Sequence, residues 1–266
     1  MAVSHEIQYF LGANSPTGFY SLYSELLPPE TASVIYILKG GPGCGKSTLM
    51  RQVAQQAAQA GETVEYILCS ADPDSLDAVV LPRLGAALVD GTAPHVVEPK
   101  YPGAVEQYVN LGDCYDRAGL RAIRGEILTC MDGYKEHYQR AYRCLDAAAE
   151  IQTDVRAMLA TPALEEKLAA RAHGILSREL KPKRSAPSGR VKQRFLDAVS
   201  HKGLITLFQT ACAQCTRIYE LSDSYGLAHL LLTHLLAGGV MGGYDVVACP
   251  DPMAPDRLSH LLVPEG

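Results

Sequence analysis

The residues with the clearest chemical meaning are Gly40-Gly41-Pro42-Gly43-Cys44-Gly45-Lys46-Ser47, which fit the P-loop pattern GxxxxGK[ST]. Glycines at these places permit positive φ and remove side chains, so that consecutive backbone N–H groups can turn inward around phosphate oxygens. A helix opening at Lys46 would add its N-terminal dipole and free N–H donors to that anion site. Lys46 is expected to reach the β- and γ-phosphates, Ser47 to offer its hydroxyl to Mg²⁺, and Thr48 to donate near the α-phosphate. The chemistry implied is the binding of a nucleoside polyphosphate with Mg²⁺.

Such a metal also needs an acid from a neighbouring strand. Ala86-Ala87-Leu88-Val89-Asp90 reads as a buried strand ending in a carboxylate, and Asp90 is the expected indirect Mg²⁺ ligand. Asp72, which precedes Pro73 at the end of the run Val64–Cys69, is a turn former first. Glu98, His95 and Asp72 are alternatives for orienting an attacking water. Cys212-Ala-Gln-Cys215 is the single CxxC and has no second pair at zinc-ribbon spacing, so the eight cysteines read as reduced, semi-apolar packing residues.

The elements that must hold these residues follow from patterning. Val34–Leu38 is a β-branched and aromatic run suited to a buried parallel strand, and a helix from Lys46 to Ala60 stops at Gly61. Leu120, Ile127, Tyr134, Ala141, Ala148 and Val155, interleaved with Met131, Tyr138, Leu145 and Leu159, indicate long helices packed along a seam. Gly125 and Gly133 are expected to break them. The stretch Arg178–Arg194 carries seven basic residues and one acid within a chain of net charge −5, and its prolines and serines mark a linker or a lid over an anionic ligand. The expected division is 1–105 as an α/β core with a mostly parallel sheet, 106–177 as a helical insertion, 178–190 as a basic linker, and 191–266 as a further copy of the core.

That last unit is a repeat. Tyr9–Tyr23 aligns with Arg194–Phe208 at an offset of 185, Ile35–Leu38 with Ile218–Leu221 at 183, and Pro73–Pro82 with Pro255–Pro264 at 182. In this register His229 stands for Lys46 and Leu230 for Ser47, while Asp223 would repel phosphate, so no nucleotide site is expected there.

The chain has 266 residues, 47% of them apolar and 20% charged, with mean hydropathy near zero. No uncharged apolar run approaches a membrane span and no signal segment is evident, so a cytoplasmic protein with no membrane partner is expected. The net charge gives no bias toward nucleic acid.

On Leu11–Tyr20, Leu38–Thr48, Asp72–Asp77, Leu88–His95 and Pro99–Val105 the sequence resembles bacterial P-loop ATPases of uncertain biological role built from two tandem NTPase modules. The resemblance implies ATP binding and hydrolysis at the first module. Members of that family carry a P-loop in both modules and a longer C-terminus, and this sequence departs on both counts. The alternatives are a small-molecule kinase and a non-catalytic ATP sensor whose helical arm meets a protein partner.

Overall fold

The computed structural model describes residues 6–93, 96–183 and 187–264. Strands β1 (Glu6–Tyr9), β4 (Val34–Lys39), β5 (Val64–Leu68), β6 (Leu76–Leu81), β7 (Ala86–Asp90) and β8 (Glu106–Asn110) form one sheet in the order β1-β5-β6-β7-β4-β8. Five of these strands run the same way and β6 is reversed, giving a mostly parallel α/β sheet. Its centre is apolar on both faces, with Ile37, Ile67, Ala78, Val79, Ala87 and Val89 fully buried. That burial is why these stretches read as continuous apolar runs rather than alternating ones. Helix α1 (Lys46–Gln59) packs on the sheet through Met50 and Ala54. Between β1 and β4 the hairpin of β2 (Gly12–Ser15) and β3 (Gly18–Ser21) stands apart from the large sheet.

Beyond residue 190 these elements recur almost residue for residue. Strand β9 (Val191–Gln193) is followed by the hairpin β10 (Asp197–Ser200) and β11 (Gly203–Thr206), whose pairing Asp197↔Thr206 is Gly12↔Ser21 shifted by 185. The short helix α5 (Phe208–Cys212) precedes α6 (Ala228–Met241), which has the span of α1 shifted by 182. Strands β12 (Val246–Asp251) and β13 (Ala254–Leu262) pair as β5 and β6 do, down to a register shift at Cys249/Pro250 that answers the one at Ile67/Leu68. The resulting sheet, β13-β12-β9, has three strands where the first has six.

Two features of the expected repeat change. Ile218–Leu221 forms no strand, and Ile218 and Tyr219 are exposed. With helices and strands both offset by 182, Ala228 stands where Lys46 does and His229 where Ser47 does, one place away from the register read in the sequence. Small gaps in a loop are invisible to sequence matching, whereas the helix start and its closing glycine fix the register.

The copies meet across a local two-fold relationship. Phe10 and Phe195, equivalent residues, exchange backbone hydrogen bonds at 2.9 Å in both directions. Beside them the Glu65 carboxylate receives Lys192 and Arg194, the latter 1% exposed. Arg194 also donates to the carbonyls of Glu25 (2.7 Å) and Leu26 (3.0 Å). Two members of the basic stretch, the buried Arg194 and the half-exposed Lys192, are therefore ion-pair partners of the first sheet. Arg190 pairs with Asp245, and Arg184 lies outside the described residues.

The remaining helices form an arm. After β8, which continues the sheet past the boundary expected at 105, α2 (Arg117–Ala122) leads into α3 (Arg124–Leu159), 36 residues and about 54 Å long. It runs through Gly133 without the expected break, since one glycine costs about 1 kcal/mol in a helix interior and does not end it. Helix α4 (Pro162–Glu179) returns to pack on α6, where Leu176 fills the space above Gly238. The seam residues Met131, Tyr134 and Val155 remain exposed, while the middle of α3 rests on the β2–β3 hairpin, where the Tyr142 hydroxyl donates to Asn14 Oδ1 at 3.1 Å.

Candidate functional site

Residues 40–45 leave the end of β4 and turn into α1 with positive φ at Gly43 (76°) and Gly45 (90°), a conformation open to glycine and strained for other residues. Gly45 caps α1 with no side-chain hydrogen bond, and the first turn carries no acid, so the positive end of the helix faces outward into the loop. Pro42, Gly43, Gly45 and Thr48 are exposed, while Gly41, Cys44 and Ser47 are half-buried. A side chain at Gly40 would meet Cys44 Sγ at 2.6 Å, which explains why that position carries none.

Lys46 is buried, and its ammonium donates to the carbonyls of Gly40 (2.5 Å) and Gly41 (2.9 Å). It also lies 3.4 Å from Asp90 Oδ2. Asp90 sits at the end of β7, which pairs in parallel with β4 so that Leu38 faces Asp90. Its Oδ1 accepts from the Thr92 amide (2.8 Å) and hydroxyl (2.5 Å), which fixes the carboxylate toward the loop. The two charged residues read from the sequence, 44 positions apart, are thus brought together by one pair of parallel strands. Ser47 Oγ accepts from the Leu76 amide at 3.0 Å. A serine hydroxyl and an aspartate are hard oxygen donors of the kind Mg²⁺ takes, so the residues present fit that ion.

The other candidates are engaged elsewhere. Asp72 accepts from Ser75 Oγ at 2.7 Å and from the Asp74 amide at 3.4 Å, a turn-forming role. Glu98 is exposed and bound by Lys39 (3.0 Å) and by the Tyr108 hydroxyl, which together hold its carboxyl below the ordinary range, Tyr108 contributing most. His95 lies outside the described residues. Cys215 Sγ donates to Ala211 O, and among the described residues no group of three His, Cys, Asp or Glu could hold a metal. No helix among them is long and apolar enough to cross a membrane.

Sequence reading passed over Tyr115, whose hydroxyl accepts from the Gly41 amide and which sits where the chain leaves β8 for the arm. It also passed over β6, whose first residue touches Ser47. The apolar run Leu76–Leu81 was the available signal for that strand, masked by the prolines on either side of it.

In the second copy the equivalent helix end is already satisfied. Asp223 Oδ2 accepts from the Ala228 amide at 2.6 Å and Oδ1 from the Tyr225 amide at 3.1 Å. Burial alone would raise its carboxyl, but these backbone donors outweigh it and hold it below the ordinary value. In the second copy the chain's own carboxylate lies at the opening of the helix, where the first copy has the glycine loop and no acid.

No curated protein and no solved structure matches this chain. Residues 21–175 match the family model described as Nephrocystin 3, N-terminal, a stretch that takes in the glycine loop, Asp90, β8 and most of the arm. That match covers more than half of the chain, which therefore belongs to the Nephrocystin 3 N-terminal family.

Proposed function

We propose that the chain is a P-loop NTPase that binds Mg²⁺ and ATP at residues 40–48 and hydrolyses the nucleotide, with 191–266 as a second module that holds none. The observation that carries this reading is the meeting of Lys46 and Asp90 at 3.4 Å beside an uncapped helix N-terminus. Lys46 rests on the loop carbonyls and on Asp90. With phosphate bound, the ammonium would turn to the β- and γ-oxygens while the loop amides and α1 stabilise charge on the transferring group. Ser47 and Asp90 would hold Mg²⁺, which supplies neutralisation of the phosphate charge when bound.

The internal repeat supports the tandem two-module architecture of the bacterial ATPases that the sequence resembles. The mostly parallel sheet supports the P-loop core, extended to Asn110 by β8. A cytoplasmic location and the lack of a membrane or nucleic-acid partner belong to the same reading. A sensor reading has one observation in its favour: Tyr115 links the glycine loop to the base of an arm whose seam is exposed, a surface for a protein partner.

Phosphate release by wild type and by Lys46→Ala, compared at matched nucleotide occupancy, separates these readings. The ATPase reading predicts acceptor-independent release that falls at least tenfold in the variant. Equal background release from both would favour the sensor, and release that requires an added acceptor would favour a kinase.

A further inference from the structure

The single CxxC of the chain stands at the end of α5, with Cys212 the last residue of that helix, and the backbone then makes one further turn. The Gln214 amide donates to the Ala211 carbonyl at 3.1 Å and the Cys215 amide to the Cys212 carbonyl at 3.0 Å. Ala213 between the cysteines keeps right-handed helical angles, φ −62° and ψ −17°. A turn closed in this way brings its first and fourth Cα atoms within about 7 Å, and a disulfide spans about 4.4–6.8 Å between such atoms. Residues three apart on a helical turn are also neighbours on its surface. The two cysteines are therefore placed so that a disulfide can join them with little movement of the chain.

The thiols also share an environment. Burial first, and then the negative charge of Cys212, push the Cys215 thiol up, which places the two sulfurs within electrostatic reach. Cys215 Sγ donates to the Ala211 carbonyl at 3.6 Å. Both cysteines are half-buried, so each keeps part of its surface in solvent. On one side of the pair α5 is fixed, since Ala211 is 1% exposed and Thr210 Oγ1 accepts from the Gln8 amide of β1 at 3.0 Å. On the other side residues 216–225 are exposed and belong to no helix or strand. The first copy has Leu27 and Glu30 at these places, so the frame that the two copies share does not need the pair.

We propose that Cys212 and Cys215 are a reversible thiol–disulfide pair, oxidised by a low-molecular-weight disulfide of the glutathione type. The Cys212 thiolate attacks one sulfur of the reagent, forming a mixed disulfide and releasing the other half as a thiolate. The Cys215 thiolate then attacks the Cys212 sulfur, which closes the intramolecular bond and releases the second half. The pair gives up two electrons and two protons, and the reagent gains them as two thiols. Cys212 is the point of entry because the Cys215 proton is engaged by the Ala211 carbonyl and its thiol is raised. Neither step uses the glycine loop, so the inference stands apart from the nucleotide reading.

The test is equilibration of the full chain at about pH 8 with glutathione, from fully reduced to fully oxidised, followed by acid quenching, alkylation and peptide mapping by mass spectrometry. In wild type the peptide holding both cysteines is expected to become two hydrogens lighter, to carry no glutathione and to be restored by dithiothreitol. Exposed Cys114, Cys130 and Cys144 report simple access and are expected to hold glutathione as mixed disulfides. In Cys215→Ser, which cannot close the bond, glutathione is expected to stay on Cys212, and in Cys212→Ser modification of Cys215 is expected to slow about tenfold. A wild-type peptide that stays fully alkylated in oxidised glutathione overturns the inference. So does one that holds glutathione on Cys212 without closing, as the exposed cysteines do. Wild type alone decides both outcomes, whether or not a variant folds.

Discussion

The two copies share a frame and differ in what meets the N-terminus of the helix inside it. In the first, α1 opens on Gly45 with Lys46 buried against Asp90, and in the second, α6 opens on a carboxylate, Asp223, that belongs to the chain. Helix length, hairpin register and even the bulge between the last two strands are the same in both. The frame therefore tolerates either solution, and the groups at the loop are free to be read as chemistry rather than as folding requirements. The difference extends to the sheets, because β4, β7 and β8, which place the loop and Asp90, have no counterpart among the described strands of the second copy.

The largest effect is expected where the copies are joined asymmetrically. Buried Glu65, whose equivalent in the second copy is Val247, binds the buried Arg194 and the half-exposed Lys192. Glu65→Gln removes the charge and leaves the buried Arg194 without its carboxylate beside a half-exposed Lys192, a loss of about 3 kcal/mol by denaturant unfolding. Burial pushes Glu65 up, and the two cations with their hydrogen bonds more than offset it, so its carboxyl titrates below the ordinary value. A group depressed on folding contributes stability in full above its unfolded pKa, about 4.3, and loses it as pH falls through the folded value. Wild type should weaken steeply below about pH 4 while Glu65→Gln does not share that slope. A parallel acid profile in the two proteins would contradict the assignment.

A smaller loss separates the two helix ends. Asp223→Ala removes the carboxylate that accepts from the first amide of α6 and is expected to cost about 1 kcal/mol by denaturant unfolding. Smaller still is the effect that should be equal in both copies. Gly61 and Gly243 close α1 and α6 with φ of 82° and 84°. Alanine at either place is expected to cost about 1 kcal/mol, the two losses agreeing within a few tenths. Unequal losses would mean that the helices end differently.

Much of the site could be read from the sequence because its parts are local. The glycine loop, Lys46 and Ser47 are contiguous, and Asp90 ends an unmistakably apolar strand. What could not be read depends on pairing across the chain. Strand β6 is short, bounded by prolines and reversed in its sheet, and nothing in its residues tells that Leu76 meets Ser47 or that Asp77 meets Tyr23. Lys192 and Arg194 look like linker residues until Glu65 is placed beside them. The repeat is legible in the hairpin and in the last pair of strands, but not at Ile218–Leu221, which forms no strand, and it shifts by one residue at the loop, where packing and not sequence identity sets the register.

The most direct test of the central claim is a calorimetric ATP titration in the presence of Mg²⁺ on wild type, Lys46→Ala and His229→Ala. One nucleotide per chain, lost in Lys46→Ala and unchanged in His229→Ala, is the predicted result. Two nucleotides per chain, or binding that survives Lys46→Ala and is lost in His229→Ala, would contradict it.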